Sequence, residues 1–273
     1  PPLGLQTVAA MLPAHYQVRL IDMNMESLNE HDIKAADLVF ISAMIVQKKS
    51  FELVVDLCRS CGVTVVAGGP YPTSCHSQIN GVDHFVLNEA ELTLPEFIRD
   101  YEAGHARNIY TNERKPDITN TPPPRFDLID VRNYANVALQ FSRGCPFSCE
   151  FCDIIELFGR KPRTKKAQQF LREMDIVYET GYRDALFIVD DNFTGAKSCV
   201  KELLVEIIKW QQAHDYPFSL FTEASIDCAG DDELLDLMVD AGFDMIFIGL
   251  ETPSKESLKE THKTQNLRFD LQY

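Results

Sequence analysis

Short apolar runs alternate with longer amphipathic ones along most of this 273-residue chain. That rhythm restricts the fold more than any other feature. In the first third, Tyr16–Ile21, Asp37–Ser42, Val63–Ala67 and Asp83–Leu87 read as strands. Leu3–Leu12, Phe51–Cys61 and Glu89–Tyr101 read as helices, and in the last of these Leu94, Phe97, Ile98 and Tyr101 recur at the 3.6-residue period. Short apolar strands between amphipathic helices predict a parallel sheet covered on both faces, here a Rossmann-like (flavodoxin-like) α/β domain over residues 1–104. Such sheets take ligands at the carboxyl ends of their strands. Those ends carry Ser42-Ala-Met44, Gly68-Gly69-Pro70 and Asn88-Glu89-Ala90-Glu91. Two adjacent glycines would let a flat ligand approach the backbone.

The rhythm fades over residues 105–137, where Pro116 and Pro122-Pro123-Pro124 cannot continue a helix or a central strand. This marks a linker, with Tyr110 in a short extra strand. From 138 to 273 the chain reads as strand–loop–helix units, with strands at Ala138–Ser142, Asp184–Val189, Phe218–Thr222 and Met245–Gly249. Thr164 is the expected cap of the first helix, and Ser198 and Asp231 precede the next two. The succession predicts a partial (β/α) barrel of about four strands, whose working side is the carboxyl rim. Cys145, Asp190, Asp191, Glu223 and Glu251 all fall there. A helix cap would explain one carboxylate, Asp191 for example; their convergence at one rim points to a site. The opening Pro1-Pro2-Leu3 and the closing Leu267–Tyr273 both stop mid-pattern, so truncation at both ends is expected.

Twenty-six basic against 41 acidic residues give a net charge of −15, which disfavours nucleic acid and anionic lipid surfaces. Lys161, Arg163, Lys165 and Lys166 form one local basic patch, read either as a solvated helix start or as an anion contact. No run is long and apolar enough to cross a bilayer. Eight cysteines without a secretory signal point to a reducing, cytoplasmic compartment. Cys58 and Cys61, a lone C-x2-C pair at a helix end, read as packing thiols.

Three other cysteines, Cys145, Cys149 and Cys152, form a C-x3-C-x2-C array directly after the first barrel strand. Thiolates this close repel one another unless a metal neutralises them. Closed structural zinc sites usually have four ligands, and ferredoxin-type clusters a fourth cysteine. No Cys or His follows at a suitable short distance, so three ligands leave one position open. Spacing alone still admits a zinc loop or three buried thiols.

With Arg143-Gly144 before it and the aromatic Phe151 inside it, this stretch resembles the C-x3-C-x-aromatic-C loop of the radical S-adenosylmethionine (SAM) enzymes. The resemblance implies a [4Fe–4S] cluster on Cys145, Cys149 and Cys152, with SAM on the fourth iron. One electron from the cluster then breaks a carbon–sulfur bond of SAM. It further implies SAM contacts from Phe151, Asp190, Asp191, Glu223 and Glu251. The N-terminal strand ends resemble the cobalamin-binding domain that precedes many such cores, whose fingerprint is Ser-x-Leu, Gly-Gly and Gly-Glu-Gly-Glu. That implies cobalamin at Ser42, Gly68, Gly69, Asn88 and Glu89, with Met44 in place of the Leu and with Asn88 and Ala90 in place of two glycines. The family's Asp-x-His-x-x-Gly motif is absent, as it is from many cobalamin-dependent members.

The stretches Val39–Gln47, Phe85–Glu91, Phe187–Phe193 and Phe221–Ile226 are similar to the subgroup containing hopanoid C-2 methylases. The implied reaction is methyl transfer to an unactivated carbon of a small-molecule or lipid substrate. An electron donor such as flavodoxin or ferredoxin would serve it. A methylthiotransferase and a non-enzymatic zinc-bearing interaction protein are the alternatives; the acidic charge and the lack of a second three-cysteine set argue against the former.

Overall fold

The computed structural model describes residues 1–269; the last four residues of the expected closing pattern lie outside the described residues. The chain forms two compact units. One comprises Pro2–Pro116 with Thr121–Ile129, and the other Asp117–Asn120 with the described residues from Asp130 onward.

The first unit holds α1 (Leu3–Met11), α2 (Glu30–Lys34), β1 (Leu38–Ser42), α3 (Lys48–Cys61), β2 (Thr64–Gly68), α4 (Pro70–Cys75), β3 (His84–Val86), α5 (Ala90–Glu102) and β4 (Ile109–Tyr110). Its sheet is wholly parallel in the order β1-β2-β3-β4. Val65, Val66 and Ala67 are consecutive and all buried, because successive strand residues face opposite sides and both sides are covered. Val65 and Ala67 meet Phe51, Val54, Val55 and Cys58 of α3. Val66 meets Leu94, Phe97 and Ile98 of α5. Cys58 is fully buried and burial pushes its thiol up to about 11, as befits a packing residue.

The expected strand Tyr16–Ile21 is not one: this stretch forms no ladder. Its apolar alternation reports which side chains pack, not whether a neighbouring backbone is available. Arg19, on the exposed side, is drawn into an ion pair with Asp32 at 2.5 Å.

The second unit holds β5 (Val137–Leu139), β6 (Ser142–Arg143), α6 (Ile154–Leu157), β7 (Arg163–Thr164), α7 (Ala167–Glu179), β8 (Ala185–Ile188), α8 (Lys197–Ala213), β9 (Ser219–Ala224), α9 (Asp232–Asp240), β10 (Phe243–Ile248) and α10 (Lys255–Glu260). Four strands lie parallel in the order β10-β9-β8-β5, the partial (β/α) barrel, and β6 and β7 form a separate antiparallel ribbon. Leu186, Ile188, Leu220 and Thr222 are essentially inaccessible on one face. The buried residues of the amphipathic helices include Phe170, Met174 and Val177 of α7, Leu203 and Ile207 of α8 and Leu234 of α9.

Three expectations change here. The strand foreseen at Ala138–Ser142 ends its pairing with β8 at Leu139, because the backbone N–H groups of Phe141 and Ser142 donate to the Asp190 carboxylate instead of to that neighbouring strand. Thr164 belongs to β7 and caps nothing; α7 begins after Lys166. The basic patch is divided: Lys165 is buried 2.5 Å from Glu173 and Arg163 donates to the Phe158 carbonyl, while Lys161 and Lys166 remain exposed.

Candidate active site

The cysteine loop hangs between β6 and α6. Its entry is Gly144, at φ 92°, where a Cβ would lie 2.7 Å from the Gly159 carbonyl oxygen. Only glycine fits both the left-handed backbone and this close approach. The Gly144 N–H donates to Asp191 at 3.0 Å, and the Cys145 N–H to Gly159 at 3.2 Å. The loop then turns on itself, the Cys152 N–H donating to the Cys149 carbonyl at 3.2 Å.

Each of the three sulfurs faces an N–H donor. Cys145 accepts from the Phe147 backbone and from Asn192 Nδ2, 3.8 Å away. Cys149 accepts from Gln265 Nε2 at 3.5 Å, and Cys152 from the Ile154 backbone. Burial pushes the Cys145 and Cys152 thiols up, and the charge of the neighbouring cysteines pushes them further. The three are therefore within electrostatic reach of one another, and ionising them together requires positive charge between them. Among the described residues no three His, Cys, Asp or Glu side chains are gathered as tightly as a single bound ion requires. Three thiols on one loop, each with an N–H donor, fit a larger group held at three corners, as thiolates hold an iron–sulfur cluster.

The carboxylates foreseen at the rim divide by role. Asp190 is 1% exposed and accepts from the Phe141 N–H, the Ser142 N–H and the Ser142 hydroxyl. It fastens the root of the cysteine loop. Burial pushes its carboxyl up to about 7, against three donors that favour the anion. Asp191 holds Gly144, and its charge reaches Cys152. Glu223 is exposed near the end of β9. Glu251, at φ 62°, accepts from Lys263 at 2.6 Å, and the Lys263 ammonium lies 5.5 Å from the exposed Phe151 ring.

The sequence reading missed the groups that tie these together. Asn192 donates to Ser225 Oγ and accepts from the Ser225 N–H, both at 3.2 Å, linking the end of β9 to Cys145. The segment Thr261–Arg268 lies along the loop: Thr261 O accepts from the Glu150 N–H at 2.9 Å, and Gln265 reaches Cys149. Asn192, adjoining the Asp190-Asp191 pair at a strand end, was open to inference. Gln265 was not, because a glutamine in a polar segment carries no signal of its own.

In the first unit, Ser42, Gly68 and Asn88 follow or end three adjacent parallel strands. The room at the glycines is used by the protein itself. A Cβ on Gly68 would lie 2.7 Å from the Val86 carbonyl oxygen, and one on Gly69, at φ 84°, would strike Ser42 Oγ. Asn88 has φ 61°, a conformation that asparagine tolerates better than most residues, so it serves where the fingerprint has glycine. It donates to Thr111 Oγ1 at 2.9 Å. Glu89 is buried at the start of α5.

Two parallel α/β units, one with a three-cysteine loop beyond its first strand, define the class. Residues 139–269 match the family model of the radical SAM superfamily, and residues 1–98 that of the B12 binding domain. The chain therefore belongs to the radical SAM superfamily and carries a B12-binding domain ahead of its radical SAM domain; membership implies a [4Fe–4S] cluster, SAM and cobalamin as cofactors. It is 48% identical to an uncharacterized methyltransferase of Synechocystis, over 99% of this chain and 51% of that protein. It is 34% identical to the hopanoid C-2 methylase of Rhodopseudomonas palustris, over 99% of this chain and 52% of that protein. The chain thus spans about half the length of these curated relatives.

Among solved structures, the radical SAM methyltransferase TsrM of Kitasatospora setae matches with a TM-score of 0.79, 17% identity, and coverage of 94% of this chain and 58% of that one. The cobalamin-dependent radical enzyme OxsB matches at 0.75 with 19% identity, over 97% and 44%. These two likenesses confirm the fold.

Proposed function

We propose that this chain is the cofactor-binding part of a cobalamin-dependent radical SAM methyltransferase that methylates an unactivated carbon, with a hopanoid lipid as the substrate class. The observation that carries the reading is the loop of three thiols, each met by an N–H donor, at the carboxyl end of a parallel barrel strand. Identity of 34% to a hopanoid C-2 methylase supports the substrate class. Cys145, Cys149 and Cys152 would hold the cluster. Ser42, Gly68, Gly69, Asn88 and Glu89 mark the strand-end surface for cobalamin.

When bound, these cofactors supply one-electron cleavage of SAM and a carrier for the methyl group. The protein positions and polarises. Asp190 and Asp191 tie down the loop root and Gly144, the residue that leads into Cys145. Asn192 and Gln265 stabilise charge on the sulfurs they face. Phe151 offers an exposed aromatic face for the adenine of SAM. Glu251, in a left-handed conformation beside Lys263, and the exposed Glu223 are the acceptors for its amino and ribose groups. A reducing, cytoplasmic setting and a flavodoxin or ferredoxin donor go with this reading.

The test is anaerobic reconstitution of the chain with iron, sulfide and hydroxocobalamin, followed by incubation with SAM and dithionite. Release of 5′-deoxyadenosine is expected. With a hopanoid supplied, the reconstituted protein should transfer a labelled methyl group to it from SAM. A reconstituted protein that cleaves no SAM would contradict the chemistry, and methyl transfer to some other carbon acceptor would replace the substrate.

A further inference from the structure

Gln265 lies in the single-turn segment Thr264–Arg268, far in sequence from the cysteine motif, and is 5% exposed. Its Nε2 points at Cys149 Sγ, 3.5 Å away, while its Oε1 is buried and has no hydrogen-bond partner among the described residues. Leaving a buried amide oxygen unsatisfied is unfavourable, so packing here holds the donor end on the sulfur at the expense of the other end. The segment cannot easily turn the amide away. Asn266 Nδ2 donates to the carbonyls of Gly249 and Leu250, each at 3.1 Å, and Lys263 grips Glu251. Asn192 also reaches a cysteine, but its amide is shared with Ser225 and Thr194.

We propose that Gln265 tunes the reduction potential of the cluster through Cys149. An N–H donor aimed at a thiolate stabilises negative charge on that ligand, and so favours the reduced cluster over the oxidised one. Gln265 is a positioning and tuning residue rather than a catalytic one. This role rests on the assignment of the cluster to Cys145, Cys149 and Cys152.

The test is a redox titration of the reconstituted chain followed by electron paramagnetic resonance, comparing wild type with Gln265→Leu and Gln265→Glu. At a fixed poise, Gln265→Leu should lower the ratio of reduced to oxidised cluster by up to about tenfold, equivalent to about 59 mV for a one-electron couple. Gln265→Glu, which sets a carboxylate against the sulfur, should lower it at least as far. Iron content should match wild type. Equal potentials at equal iron content would overturn the tuning role and leave the cluster assignment standing. Loss of iron from both variants would make Gln265 a structural support only. A wild-type chain that takes up no cluster would overturn both readings.

Discussion

Lys263 Nζ lies 2.6 Å from Glu251 Oε1, in space left free by the missing side chain of Gly249. A Cβ on Gly249 would stand 2.6 Å from that carboxylate oxygen and 2.7 Å from the ammonium, so Gly249→Ala displaces the pair from this contact. Gly249→Ala and Lys263→Met should each destabilise the chain by about 1 kcal/mol, since one partner remains half exposed. The double variant should lose little more than either single one, because both remove the same contact. Urea denaturation checks this; fully additive losses would contradict it.

Gly144→Ala meets two obstacles, the left-handed φ and a backbone carbonyl 2.7 Å from the new carbon. The conformation alone costs about 1–2 kcal/mol, and the carbonyl belongs to backbone that cannot rotate aside. The cysteine loop should lose its shape. Iron analysis after reconstitution should show the variant holding well under half of the wild-type content, and wild-type content in Gly144→Ala would refute this account of the loop entry.

Gly69→Ala strikes Ser42 Oγ and also takes a left-handed φ. It should lower stability by about 2 kcal/mol or more. Adding Ser42→Gly removes the collision but not the backbone strain, so the double variant should recover part of the loss and no more. Thermal denaturation compares them. If Ser42→Gly gives no relief, the contact between the ends of β1 and β2 is not the cause.

Burial raises the Asp190 carboxyl to about 7 from an ordinary value of 3.8. Between those values the folded chain binds a proton that the unfolded chain releases, so this group's contribution to stability falls as pH rises from about 4 to about 7 and is level above. Asp190→Asn cannot titrate. The stability of wild type relative to Asp190→Asn should therefore be greater at pH 5 than at pH 8. A difference independent of pH would show that the carboxylate stays ionised, held by its three donors.

The parallel order of both sheets was legible in the sequence because their strands are buried on one or both faces and so read as apolar runs. Where backbone pairing decides, the reading failed. Tyr16–Ile21 has a strand's alternation and no partner, and Phe141 and Ser142 leave the ladder for a side chain 48 or more residues away. Cys145, Cys149 and Cys152 were legible because their spacing is local. Asp190 was placed at the rim correctly, but its inward turn depends on contacts that the strand-end pattern does not encode. Gln265 and Lys263 meet the loop across 116 and 112 residues, from Cys149 and Phe151 respectively, and no sequence period reports such contacts.

The central claim is tested most directly by Mössbauer spectroscopy of the chain reconstituted anaerobically with ⁵⁷Fe and sulfide, with and without SAM. The account predicts a [4Fe–4S] cluster in wild type, one iron site changing its parameters when SAM is added, and no such cluster in Cys149→Ala. A full cluster in Cys149→Ala, or a wild-type protein that takes up zinc and no iron, would contradict it.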